Sequence, residues 1–93
     1  MIENTLGEWS EFIKALYHPI RLKLVMVLWN DEHSSGDLHR VVGISKPEVS
    51  RHIGILLSAG IVRMRKHGQF HYYSLTDKYK QMSEYLGKFK LEE

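Results

Sequence analysis

Starting at Ile2, the apolar side chains Leu6, Trp9, Ile13 and Leu16, with Phe12 beside them, recur at i, i+3, i+4, i+7 and predict an amphipathic helix over about 2–17. Pro19 restarts the chain, because its fixed φ suits a first helical turn and biases His18 away from the α region; Leu22, Val25, Met26 and Trp29 then mark a second helix, stopped by Asn30 and Asp31. Ser34 or Ser35 caps a short third helix from about 36 to 42, with Leu38, Val41 and Val42 inward and Gly43 as its stop. The fourth helix is the most sharply signalled. Ser45 and Glu48 stand in the S-x-x-E relation of a capping box, Ile44 precedes the cap as a staple, Pro47 is tolerated in the first turn and Gly60 ends the pattern. Its inner stripe is Val49, Ile53 and Leu56; Lys46, Pro47, Glu48, Ser50 and Arg51 are set on the opposite face near its start. Two β-rich runs, 61–66 and 69–75, flank His67 and Gly68 as a tight hairpin, and Tyr79, Met82, Leu86 and Phe89 space out a last helix over about 78–91. The pattern predicts a mainly α chain with one small β-hairpin, in the order α-α-α-α-β-β-α, forming a single domain over residues 1–93.

Composition narrows what such a chain can do. At 93 residues with 43% apolar and 26% charged side chains it has room for one core, and a monomer of this size is marginal unless a partner subunit covers more of it. Zero cysteines exclude disulfides, thiolate metal sites and cysteine redox switches, and fit a cytoplasmic home. The strongly apolar stretch 24–29 is far short of the ~20 residues of a membrane span, so no membrane role is expected. Charge is unevenly placed. Residues 1–39 hold three basic against six acidic side chains, and residues 40–80 hold eight against two, a local excess of the kind that marks a polyanion site.

Two short helices joined around Gly43, the second opening with small and polar side chains, describe a helix-turn-helix, and the hairpin after it makes the winged version. A helix about 10–12 Å wide fits the DNA major groove, and its exposed first turns must reach base edges and phosphates. Ser50 and Arg51 offer base contacts; Ser45, Lys46, Pro47 and Glu48 lie where the backbone passes; and Arg65, Lys66, His67 and Gln69 cluster near the wing tip. No Gly-rich phosphate loop, Ser-His-Asp order or spaced carboxylate pair suggests catalysis, so no enzyme activity is expected.

The runs Lys14-Ala15-Leu16, His18-Pro19-Ile20-Arg21-Leu22, Ile44-Ser45-Lys46-Pro47-Glu48-Val49-Ser50-Arg51-His52-Ile53, Ala59-Gly60-Ile61-Val62 and Gly68 with Tyr72-Tyr73-Ser74-Leu75 together resemble the ArsR/SmtB family of winged-helix repressors, over roughly residues 10–80. The resemblance implies a homodimeric regulator, a repressor, that binds a double-stranded DNA operator. It also implies that the first and last helices build the subunit interface, here through Leu6, Trp9, Ile13, Tyr79, Met82, Leu86 and Phe89. In the family's arsenic and cadmium type, cysteines stand where this chain has Ser34, Gly36 and His39; the zinc type needs histidine on the last helix, and none follows His71. No metal, no cofactor and no metal response are therefore expected, and the effector stays unknown. Two alternatives stay open: a winged protein–protein interaction module, and a metal sensor built on histidines such as His33 and His39 beside Asp31, Glu32 and Asp37. His71 alternates in phase with Tyr73 and Leu75, which predicts an inward, packed side chain. Ile20, Met26 and Leu57 are extra apolar groups on faces expected to be exposed, as at a broader subunit or partner interface.

Overall fold

The computed structural model describes the backbone of residues 2–87 and the side chains of residues 6–84. Helix α1 spans Ile2–Leu16 and α2 Pro19–Val27; strand β1 is His33–Ser34; α3 is Ser35–Val42 and α4 Lys46–Ser58; the hairpin is β2, Val62–His67, and β3, Phe70–Leu75; α5 runs over Asp77–Gly87. Local chemistry sets the helix starts. The extended His18 (φ −166°) caps α2 by accepting the Ile20 N–H on Nδ1 at 3.1 Å, and Ser34 Oγ caps α3 by accepting from the Asp37 N–H at 3.1 Å. The capping box of α4 is complete: Ser45 Oγ accepts the Glu48 N–H at 3.2 Å, and Glu48 Oε1 accepts the Ser45 N–H at 3.0 Å. Gly43 ends α3 in the left-handed region, φ 77°, where a side chain is strained.

Phe12, Leu24, Leu28, Leu38, Val49, Ile53, Leu56, Ile61, Val62 and Leu75 form one buried core to which every helix from α1 to α4 and the hairpin base contribute. Thr76 joins α5 to it. Its hydroxyl donates to the Gly60 carbonyl at 2.7 Å and accepts the Tyr79 N–H at 3.1 Å, so the residue that leaves the sheet also caps the last helix.

Several expectations need correction. The sheet has three strands, in the order β1-β3-β2, because His33 and Ser34 pair antiparallel with Tyr73 and Tyr72. The hairpin loop is Gly68 and Gln69, not His67 and Gly68, since His67 still pairs with Phe70; left-handed φ at Gly68 alone (61°) is the pattern of a II′ turn. Ile20 and Leu57 pack against the core, so only Met26, 73% exposed, remains as an uncovered extra apolar group of the three. Tyr79 is 6% exposed, with edge-on contacts to Phe12 (5.4 Å) and Trp29 (6.4 Å), so it belongs to the protomer's own core and is taken out of the subunit-facing stripe. His71 is exposed: alternation puts it on the inner face, but the core stops at Tyr73.

Candidate nucleic-acid interface

Between Val42 and Lys46 the chain turns through Gly43, Ile44 and Ser45, and the two helices on either side make a helix-turn-helix. His39, in the last turn of α3, pins the corner by donating its Nδ1 hydrogen to the Ile44 carbonyl. Glu48 and Ser45 are committed to the capping box, and the Ser45 backbone N–H, followed by its hydroxyl, holds the Glu48 carboxyl below the usual carboxylate range. Pro47 stiffens the same first turn. With that start fixed, Val49, His52, Ile53 and Leu56 turn inward while Lys46, Pro47, Ser50 and Arg51 stand exposed on the opposite face. Neither Lys46 nor Arg51 has an acidic partner among the described residues.

The buried side of α4 is anchored by a polar contact that periodicity does not reveal. His52 is 5% exposed, and Arg21 of α2 donates from Nη1 to its Nδ1 at 3.2 Å, which leaves the imidazole neutral with its hydrogen on Nε2. The same guanidinium donates from Nε to the Ala15 carbonyl at the end of α1 at 2.5 Å. Burial, and then the charges of His18 and Arg21, push the His52 pKa below its ordinary value; the His18 ring lies 4.6 Å away, centroid to centroid. Arg21 in the Pro19-x-Arg21-Leu22 motif is thus a joint between α1, α2 and α4.

Strand alternation divides the wing into two faces. Met64 and Lys66 share the inner face with the buried Val62, Tyr73 and Leu75, whereas Arg63, Arg65 and His67 lie on the outer one with Tyr72 and Phe70. A cleft of about 180 Å³ separates the inner face from α4, lined by Ser35, Lys46, Val49, Ser50, His71 and Tyr73. Gln69 sits in the loop at the tip, exposed. The structure therefore gathers Lys46, Ser50 and His71 around one cleft, with Lys66 on the same strand face as its cross-strand partner His71, and His71 is the member the sequence assigned to packing. Arg65 is placed elsewhere: its guanidinium bonds both oxygens of Glu32, Nη2 to Oε1 at 2.8 Å and Nε to Oε2 at 3.1 Å.

Leu6 and Ile13 of α1 are 63% and 58% exposed, Trp9 and Met82 are half-buried against the core, and the Leu86 side chain and Phe89 lie outside the described residues. Among the described residues no three His, Asp or Glu side chains converge as a ligand set. At the family's cysteine positions, the Ser34 hydroxyl caps α3 and His39 has one ring nitrogen committed to Ile44; His33 Nδ1 stands 3.9 Å from Asp37 Oδ2. No helix among the described residues is long and apolar enough to cross a membrane.

Comparison with known proteins agrees with this geometry. The family model described as "Bacterial regulatory protein, arsR family" matches residues 18–64, which contain α2 through the start of β2. The biofilm growth-associated repressor of Xylella fastidiosa is 37% identical over 76 residues, covering 82% of this chain and 67% of that protein. The transcriptional repressor SdpR of Bacillus subtilis is 37% identical over 66 residues, 71% of this chain and 73% of that one. Among solved structures, HlyU from Vibrio cholerae superposes with a TM-score of 0.80 at 29% identity, covering 95% of this chain and 96% of the other. The chain belongs to the ArsR family of bacterial regulatory proteins, winged-helix transcription regulators that bind DNA and are not enzymes.

Proposed function

We propose that this chain is a cytoplasmic, homodimeric repressor that reads a two-fold DNA operator with the first turns of α4 and does so without a metal. The single observation that carries the proposal is the exposed, polar start of α4, Lys46, Ser50 and Arg51, held rigidly from behind by the Arg21–His52 contact. Arg51 supplies a two-pronged donor suited to guanine, Ser50 a hydroxyl for a neighbouring base, and Lys46 a phosphate contact at the helix start. From the wing, Lys66, His71 and Gln69 meet the flanking backbone, and His67 meets it from the wing's outer side. Ser45, Pro47 and Glu48 shape the turn that delivers these groups.

Dimerisation is supported by the exposed apolar pair Leu6 and Ile13 on α1, flanked by Trp9 and Met82, a face that a second copy would cover by two-fold symmetry. Two α4 helices related in this way meet successive major grooves one helical turn apart, so the operator is a palindrome of two half-sites. The Xylella fastidiosa and Bacillus subtilis relatives named above are repressors, which supports repression as the outcome of operator binding. Metal independence is supported by the roles Ser34 and His39 already fill. Selection of bound sequences from random duplex DNA tests the proposal: an enriched inverted repeat supports it, and recovery of no sequence, from protein that is folded, refutes it.

A further inference from the structure

Nine consecutive residues of the hairpin, 63–71, are exposed, so the outer part of the wing projects from the body as a two-stranded ribbon with no core beneath it. Two strands alone are marginally stable in water, and such a ribbon needs a tether to hold one pose. Among the described residues, the side-chain hydrogen bonds from this stretch to the rest of the protein are the two from Arg65 to Glu32. Glu32 lies in the connection between α2 and β1, thirty-three positions away in sequence. The guanidinium also lies over the Tyr72 ring, 4.8 Å from its centroid, and Tyr72 is the cross-strand partner of both Arg65 in β2 and Ser34 in β1. One side chain therefore touches the α2–β1 connection and both strands of the wing.

We propose that Glu32 is a positioning residue for DNA binding: through Arg65 it fixes the wing so that Lys66 and His71, on the opposite face, stand over the DNA backbone. The inference rests on the DNA-binding role proposed above and assigns to that interface an acidic residue that touches no DNA. The Arg65 hydrogen bonds hold the Glu32 carboxyl below the usual carboxylate range, so the pair is charged at neutral pH. A two-pronged guanidinium–carboxylate pair also fixes orientation as well as distance, which a lysine in the same place does not.

The sign of the effect separates this role from its rivals. An acidic side chain near a DNA surface repels phosphates, so on charge alone its removal strengthens binding. If Arg65 were itself a phosphate ligand, Glu32 would compete with DNA for it, and removing Glu32 would again strengthen binding. A tether predicts the reverse. The test measures affinity for the sequence that the wild-type chain selects from random duplex DNA, using wild type, Glu32→Gln, Arg65→Gln and the double variant. Each single replacement is expected to weaken binding by about threefold to tenfold, and the double variant to be no weaker than either single one, because both remove the same link. A second readout needs no DNA. The chain has no cysteine, so Gln69→Cys accepts a single spin label at the wing tip, and Glu32→Gln is expected to raise its mobility in the free protein. An affinity equal to or above wild type in Glu32→Gln, or an unchanged label mobility, overturns the inference while leaving the DNA-binding role intact. A wild-type chain that selects no sequence overturns that role and this inference with it.

Discussion

Replacing Leu6 and Ile13 together by serine probes the proposed subunit interface at the two exposed apolar side chains of α1. The two side chains are 63% and 58% exposed, so about three-fifths of each is still available for burial. Complete burial of a leucine or isoleucine is worth about 1.5–3 kcal/mol, and the remaining fraction about 1–2 kcal/mol per side chain. A two-fold interface contains each of them twice, so the double replacement removes about 4–8 kcal/mol of association free energy, a rise of at least about a thousandfold in the dimer Kd. The protomer itself loses little, because its core residues Phe12, Leu24 and Tyr79 are untouched. Sedimentation velocity across nanomolar to high-micromolar concentrations measures the dissociation constant, with circular dichroism to establish that the variant is folded. A folded double variant that dimerises within threefold of wild type refutes the assignment of α1 to the interface.

Ser45→Ala removes the acceptor for the Glu48 N–H at the start of α4 and is expected to cost about 1 kcal/mol, a fall of about 4–8 °C in Tm for a domain of this size; an unchanged melting curve contradicts the role given to the box. His52 is held neutral by burial, with a pKa below its ordinary 6.5, so between the two values the unfolded chain binds a proton that the fold rejects. Stability is therefore fullest above about pH 7 and declines as pH falls through 6.5 towards the folded value; the urea midpoint is expected to drop from pH 7.5 to 5.5, and less steeply in His52→Gln, with equal slopes counting against the assignment. Calorimetric titration of the protein with zinc, cadmium, nickel and arsenite is expected to show no site tighter than about micromolar that alters operator affinity, and such a site would reinstate metal sensing.

How much of this was legible in the sequence depends on how local each signal is. The start of α4 was readable to the residue because Ser45, Pro47 and Glu48 act within one turn of each other, and Ser34 and Gly43 bound α3 in the same way. Strand β1 was not, since two residues have no periodicity and pair only with Tyr72 and Tyr73, some forty positions on. The hairpin loop slipped by one residue because Gly68 fits either place in a two-residue turn; a glycine in the first position of a II′ turn favours Gly68 with Gln69. Alternation gave His71 its face but not the depth of the core beneath it. Ile20, Leu57 and Tyr79 are covered by neighbours that only the tertiary packing supplies, and both the Arg21–His52 and Arg65–Glu32 contacts join residues about thirty positions apart with no local trace.

The most direct test of sequence reading by α4 is the ratio of operator affinity to affinity for unrelated duplex DNA, measured at one salt concentration for wild type, Arg51→Ala and Lys66→Ala. Wild type is expected to favour its selected site by at least about a thousandfold. Arg51→Ala should cost about 1–3 kcal/mol on that site, shrinking the ratio by about fivefold to 150-fold, because a base contact is lost. Lys66→Ala should weaken both affinities alike and leave the ratio unchanged, because a phosphate contact carries no sequence. A ratio that Arg51→Ala leaves at the wild-type value, with the variant folded and dimeric, contradicts base reading by α4.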